Sequence, residues 1–318
     1  YITIYGKITL GEFTAFIQYL GMLVWPMVAI GMTINMFTMG SASLERIENI
    51  LNEPVEIKDS ETAIQINSFD GSIEVKNLNF KYPDSNKYVL NDINFRVEKG
   101  QTLGIIGRTG SGKTTLVNLL LRIFDPNDST IFLGGYNILD IPLNILRSNI
   151  GYVPQDNFLF SDTISNNIDF GTRKGEQDKI IEAAKAASVH ENIVEFKQGY
   201  ETFIGERGVS LSGGQKQRIS IARALIKNPE ILILDDSVSA VDTDTEERIL
   251  THLKENRKNK TNVIIAHRIS TIQDSNLIIV LDEGRIVESG NHHELLQNKG
   301  LYSSIYEKQL LEKMLEQE

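Results

Sequence analysis

The sequence predicts an α/β fold in which a membrane-spanning helix precedes a domain of strands and helices, and three observations lead to that reading. An uncharged apolar stretch runs from Phe13 to Leu44 and holds the only Trp, Trp25, and five of the six Met. Later in the chain, apolar runs of strand length (Leu103 to Ile106, Ile231 to Leu234, Val263 to Ala266) alternate with helical segments, the pattern of a largely parallel sheet flanked by helices. Between the first of those runs and the helix after it lies a glycine-rich loop, where strand-to-helix turns hold phosphate groups.

The apolar stretch comes first. Residues 13–39 are long and apolar enough to cross a bilayer, since ~20 residues suffice. No basic cluster precedes the stretch and no small-residue cleavage site ends it, which argues against a removable signal peptide. Gly21, Pro26 and Gly31 are poor choices in a soluble helix but tolerated in a membrane helix. The spanning helix is expected over about residues 11–40, after the end of an earlier membrane helix and a short loop in residues 1–10. Leu44, Ile47 and Ile50 or Leu51 continue the helical spacing until Pro54 stops it. The organisation therefore reads as residues 1–53, the end of a membrane domain with a cytoplasmic extension; residues 54–70, a polar linker; and residues 71–318, a folded domain. A single spanning helix makes no transport pathway, so the chain reads as part of a larger protein.

Within the folded domain, Ile73 to Val75 and Leu78 to Phe80 alternate as strands do, and Tyr88 to Val97 gives a further strand that ends at the Lys99-Gly100 turn. Leu103 to Ile106 reads as a buried strand and Thr114 to Ile123 as a helix. Residues 301–314 place Leu301, Ile305, Tyr306, Leu310 and Met314 among charges, an amphipathic C-terminal helix. Composition excludes some classes. With 42 acidic against 32 basic residues, a net charge of -10 and a sequence pI near 5.2, the chain carries no electrostatic footprint for nucleic acid. Backbone dipoles still bind a nucleotide in an acidic protein. Without cysteine there is neither a disulfide framework nor a thiolate metal site. The five His form no HExxH pattern, and the adjacent His292 and His293 read as a solvated pair.

The chemistry sits in short motifs. Gly107-Arg108-Thr109-Gly110-Ser111-Gly112-Lys113-Thr114 matches GxxxxGK[ST], and glycines there let successive N–H groups face phosphates at a positive helix end. The set expected to hold the nucleotide is Gly107, Thr109, Gly110, Ser111, Gly112, Lys113, Thr114 and Thr115. Lys113 reaches the β- and γ-phosphates, and Thr114 holds Mg²⁺. Ile231 to Asp235 is an apolar strand ending in a carboxylate, which places Asp235 beside that Mg²⁺. Leu211-Ser212-Gly213-Gly214-Gln215 opens another helix with glycines, a second phosphate-binding element. One such cradle serves one nucleotide, so the second points to a different nucleotide.

Taken in order over residues 71–310, these motifs resemble those of the ATP-binding cassette family, and the family is a P-loop NTPase fold with a mixed core sheet, an antiparallel β subdomain and a helical subdomain. The resemblance implies that Tyr82 stacks on adenine and that Gln155, in Val153-Pro154-Gln155, senses Mg²⁺ and the attacking water. It implies that Ser212, Gly213, Gly214 and Gln215 contact ATP held by a partner domain, that Ser239-Ala240-Val241-Asp242 form the D-loop, and that His267 is the switch histidine at the γ-phosphate. Gly205-Glu206-Arg207-Gly208 resembles the segment that couples exporter cassettes to their membrane domains. Residues 1–53 resemble the last membrane stretch of an exporter half-transporter, so the resemblance implies an ATPase coupled to efflux. It also implies a head-to-tail dimer with two ATP molecules, in a cell membrane with the nucleotide domain in the cytoplasm.

One position departs from the family. Asp236 stands where active members usually carry Glu as general base or water-positioning group, and Asp reaches one methylene less far. Ser237-Val238-Ser239 also differs from the usual Pro-Thr-Ser or Ala-Thr-Ser. The departure resembles the subunit of heterodimeric exporters whose own site is impaired, with Lys113, Gln155, Asp236 and His267 as its catalytic set. A heterodimer with a second half-transporter is therefore favoured over a homodimer. Two other readings differ in class: a regulatory ATP clamp with little hydrolysis, which Asp236 favours, and a soluble ATPase of DNA repair or translation, which the apolar stretch and the acidic balance oppose.

Overall fold

The computed structural model describes residues 6, 8–60, 63–205, 211–237 and 243–315. Two compact units result, Tyr1–Glu56 and Ile57–Glu318.

Among its described residues the first unit has one helix, α1 (Leu10–Leu51), of 42 residues. At ~1.5 Å per residue it is about 63 Å long, roughly twice the ~30 Å hydrocarbon thickness of a bilayer. Thr9 caps it reciprocally with Glu12, and Pro26 lies inside it. None of its residues is buried, and its most apolar window has a mean hydropathy of 1.6, so the helix is long and apolar enough to cross a membrane. Thr14, Thr33, Thr38 and Ser43 each donate a hydroxyl to the carbonyl four residues back, at 2.8 to 2.9 Å. A hydroxyl satisfied by its own helix needs no partner in lipid.

The second unit is built on a six-stranded sheet. Its first part contains β1 (Ile73–Phe80), β2 (Leu90–Val97), β3 (Thr102–Gly107), α2 (Lys113–Leu120), β4 (Ile131–Leu133), β5 (Tyr136–Asn137), α3 (Leu143–Asn149) and β6 (Ile150–Val153). A helical part follows: β7 (Asp162–Thr163), α4 (Ile164–Asp169), α5 (Gln177–Ala186), α6 (His190–Val194), β8 (Phe203–Ile204) and α7 (Gly213–Leu225). The chain then returns to the sheet through β9 (Ile231–Asp235), α8 (Thr243–Asn256), β10 (Thr261–Ile265), α9 (Ile269–Ile272), β11 (Leu277–Asp282) and β12 (Arg285–Gly290), and closes with α10 (His292–Gln297) and α11 (Leu301–Leu315).

The large sheet runs in the order β12-β11-β3-β10-β9-β6, and a separate antiparallel sheet runs β2-β1-β4-β5. In the large sheet every neighbouring pair is parallel except β11 with β12. The continuous apolar runs follow from burial on both faces. Leu232 and Leu234 of β9 join one hydrophobic cluster with α4, α5 and α7, whereas Ile231 and Ile233 join another with α2 and the antiparallel sheet. A mixed sheet flanked by helices, with an antiparallel β subdomain and a helical subdomain, is the architecture the sequence predicts.

Part of the segment read as a polar linker is anchored to the second unit. The second unit begins at Ile57 rather than at Gly71. Asp59 accepts the Leu143 N–H at 2.7 Å, the Lys58 carbonyl accepts from the buried Arg122 guanidinium at 3.1 Å, and Phe69 is buried in the core. These partners lie far away in sequence, which is why alternating polar character alone resembled a tether.

Candidate nucleotide site

The parallel pairing decides where the chemistry lies. β3, β10, β9 and β6 are neighbours running in one direction, and their registers align Ile105 with Ile265, Ile265 with Asp235, and Leu234 with Val153. Their C-terminal ends therefore release the glycine-rich loop after Gly107, His267, Asp235-Asp236 and Pro154-Gln155 along one edge, the edge at which α/β sheets bind ligands.

The loop from Gly107 is shaped by contacts that only glycine permits. A Cβ at Gly107 would meet the Leu281 carbonyl oxygen at 2.1 Å. Gly112, the N-cap of α2, has φ +104, and a Cβ there would meet Leu90 at 2.7 Å. Ser111 to Lys113 are buried, whereas Arg108 to Gly110 and Thr114 are exposed, so the loop has a packed floor and an open rim. On the floor, the Ser111 hydroxyl oxygen is buried without a hydrogen-bond partner, a group that a phosphate oxygen would satisfy. The Lys113 ammonium donates to the Gly107 and Arg108 carbonyls at 2.8 and 2.9 Å. Burial pulls the Lys113 pKa down, and the carboxylates of Asp235 and Asp236 pull it back up.

Asp235 closes β9 and is 5% exposed. Burial raises its pKa, the hydrogen bond from the Tyr152 hydroxyl at 3.4 Å lowers it, and the neighbouring Asp236 raises it again. The buried Asp235 carboxylate and the exposed Thr114 hydroxyl both offer hard oxygens, the donor type that suits Mg²⁺. Asp236 adopts φ +45 while its N–H donates to the Ile265 carbonyl at 2.9 Å. Asp is among the few residue types that enter this left-handed region readily.

Tyr82 is half-buried beside α2, with its hydroxyl 3.0 Å from the Thr115 hydroxyl and its ring edge-on to Phe80 and Phe124. Gln155 and His267 are exposed in the loops after β6 and β10. Ser212 to Gln215 lie at the start of α7, which packs against α4 and α5 in the helical part. Ser212 and Gln215 cap that helix reciprocally, each side chain bonded to the other's backbone N–H at 3.2 and 3.0 Å. Ser212 and Gly213 are exposed. Ser239 to Asp242 and Glu206 to Gly208 lie outside the described residues.

Two contributors were missed from sequence. Gln217 of α7, buried, donates to the Asp236 carbonyl at 3.4 Å, so the helix that starts at Ser212 touches the carboxylate turn. Phe158, Phe160 and Phe170 form an exposed aromatic cluster just beyond Gln155, with ring centroids 5.1 and 4.3 Å apart and Arg223 lying over two of the rings. No local pattern announces that cluster, because Phe170 and Arg223 join Phe158 and Phe160 from separate segments.

Comparison with known proteins gives the family. Residues 90–239 match the family described as ABC transporter. The chain is 47% identical over 306 residues to the probable multidrug resistance ABC transporter ATP-binding/permease protein YheI of Bacillus subtilis, covering 96% of this chain and 52% of that protein. It is 43% identical over 316 residues to the multidrug resistance-like ATP-binding protein MdlA of Escherichia coli, covering 99% of this chain and 53% of that one. The structure of a bacterial Atm1-family ABC exporter with ATP bound is similar at a TM-score of 0.83 and 38% identity, covering 96% of this chain and 53% of that chain. The chain thus spans about half the length of the curated relatives it matches.

Proposed function

The chain belongs to the ATP-binding cassette transporter family, and from that premise we propose that it is the ATP-hydrolysing part of an exporter half-transporter that works in a head-to-tail dimer. The observation that carries this reading is the contrast between two glycine-rich helix starts. The loop before α2 shares a sheet edge with Asp235, Asp236, Gln155 and His267, whereas Ser212 and Gly213 stand exposed on the helical part, with Gly214 and Gln215 half-buried behind them. An exposed anion-binding helix end with no carboxylates of its own fits completion of a partner's site.

In this mechanism Gly107 to Thr115 hold the phosphates and Tyr82 lies on the adenine side. Lys113 leaves the Gly107 and Arg108 carbonyls and stabilises charge on the γ-phosphoryl group. Thr114, Gln155 and Asp235 would hold Mg²⁺, which would supply positive charge to neutralise the phosphates. Asp236, Gln155 and His267 place the attacking water in line. The Phe158–Phe160–Phe170 cluster is an apolar patch beside Gln155 that suits docking of membrane-domain loops, so closure passes from the nucleotide to the membrane. The nucleotide domain works on the cytoplasmic side of a cell membrane. The exported compound is drug-like or lipid-like, and the names of the multidrug relatives support the first.

Asp236 shapes the finer reading. A carboxylate displaced by about 1 Å lowers rate on the order of 10²-fold, so this chain's own site is slow. Its signature completes a faster site on a Glu-bearing partner, which makes a heterodimer the favoured assembly. The test is steady-state ATPase activity of the full chain in detergent, wild type beside Asp236→Glu and Lys113→Ala. The expected result is a slow wild type, a gain of about 10²-fold in Asp236→Glu and loss in Lys113→Ala. A fast wild type that Asp236→Glu barely changes would replace the heterodimer by a homodimer with a working Asp. A silent Asp236→Glu that still binds ATP would favour a regulatory clamp.

A further inference from the structure

We propose that Gln309, on the C-terminal helix α11, is a positioning residue for the His267 loop, and that α11 thereby sets the turnover of the nucleotide site. The inference rests on the reading of His267 as the γ-phosphate group. Its basis is one side-chain amide that holds two backbone groups. The Gln309 Nε2 donates to the His267 carbonyl at 2.6 Å, and its Oε1 accepts the Ile269 N–H at 2.9 Å. The pair brackets Arg268, the N-cap of α9, whose own side chain makes no capping hydrogen bond. Gln309 therefore supplies from 40 residues away the cap that the local sequence lacks.

The amide is mounted on a fixed frame. Tyr302 of α11 is fully buried and its hydroxyl lies 2.8 Å from His292 Nδ1. The Leu301 and Tyr302 N–H groups both donate to the Glu288 carboxylate on β12. The helix is thus tied to the sheet at its start and grips the switch loop two turns later. The His267 side chain is exposed, so packing does not orient it, and the backbone it hangs from becomes the controlling element. Only a primary amide on a side chain of this length supplies donor and acceptor together. Glu keeps the acceptor and loses the donor; Leu loses both.

The test uses the full chain in detergent with Gln309→Leu, Gln309→Glu, His267→Ala and, as an exposed neighbour outside the site, Lys308→Ala. Turnover is read in the Asp236→Glu background, with Lys113→Ala as the blank. Amide exchange over residues 266–272 is read in the same samples. In Gln309→Leu, exchange of that segment should rise at least about tenfold, as loss of two hydrogen bonds implies. Its kcat should fall about tenfold or more, with KM for ATP within about twofold, because the loop is misplaced and the phosphate cradle is not. Gln309→Glu should keep the Ile269 amide protected and still lose kcat, while Lys308→Ala should match its parent. Unchanged exchange in Gln309→Leu, or faster exchange with unchanged kcat while His267→Ala is inactive, overturns the role of Gln309. Full activity in His267→Ala overturns instead the switch reading beneath it, and the exchange data then report only a structural clamp.

Discussion

Two helices of this chain, α2 and α7, begin on glycine-rich turns, yet the turns are built to opposite specifications. The α2 turn is packed: a Cβ on Gly107 or Gly112 would clash with a backbone oxygen or a leucine side chain, Lys113 is buried, and no side chain caps the helix. The α7 turn is open: Gly213 has nothing near its Cβ position, and Ser212 and Gln215 satisfy each other's N–H groups. A helix whose start is already capped is stable without a ligand. One whose floor holds an orphaned Ser111 hydroxyl and a desolvated lysine is completed by one. The difference fits the proposed function, in which the first turn serves nucleotide binding by one chain and the second serves closure on another.

The sharpest way to break that comparison is to add the same methyl group to both. Gly107→Ala must push the Leu281 carbonyl aside, and overpacking of this kind costs about 2 to 3 kcal/mol. Urea denaturation should find that loss together with a collapse of ATP binding. Gly213→Ala enters open space at the first position of a helix, where Ala improves on Gly by about 0.5 kcal/mol. It should leave ATP binding by the single chain unchanged and slow only the turnover of a closed dimer. Equal losses of binding in both variants would mean that the two turns serve one nucleotide.

The contrast also marks what could be read in advance. Lys113, Asp235 and Ser212 were legible because each motif is continuous and its neighbours in sequence create its environment. The alternation of Ile231, Leu232, Ile233 and Leu234 between two cores was legible as a buried strand for the same reason. What escaped was held by distant partners: the packed segment at Lys58 and Asp59, the contact of Gln217 with Asp236, and the grip of Gln309 on His267. The left-handed backbone of Asp236 escaped as well. Side-chain type at 236 signalled a shortened reach, but no local pattern signals the sign of φ.

The packed turn carries a cost that the open one lacks. Burial raises the Asp235 pKa above its ordinary 3.8, so the folded state binds a proton that the unfolded chain has already released in the window just above that value. Stability from this group is therefore present at low pH and is lost as pH rises through the window. Asp235→Asn keeps an acceptor for the Tyr152 hydroxyl and removes the buried charge. It should stabilise the ligand-free chain at neutral pH by about 1 kcal/mol, since a carboxyl whose pKa is raised on folding disfavours its ionised form in the folded state. The same variant should lose Mg²⁺-dependent turnover. A destabilised Asp235→Asn would mean that its attraction to Lys113 outweighs its burial.

The smallest effect belongs to the open turn and tests whether its cap is only a cap. Ser212→Ala removes the hydroxyl that accepts the Gln215 N–H and strands one half of the reciprocal pair. Losing such a cap costs about 1 kcal/mol, which thermal melts of the single chain will register as a modest fall in Tm. Nucleotide affinity of that chain should not move, because the cap is no part of the cradle at α2. Turnover in a dimer should fall further than stability does, since in the proposed assembly closure brings a second chain's phosphates to the same N–H groups and gives the hydroxyl two roles. If turnover falls only in proportion to the loss of folded protein, Ser212 serves its own helix and the exposed turn makes contact with ATP through backbone N–H groups alone.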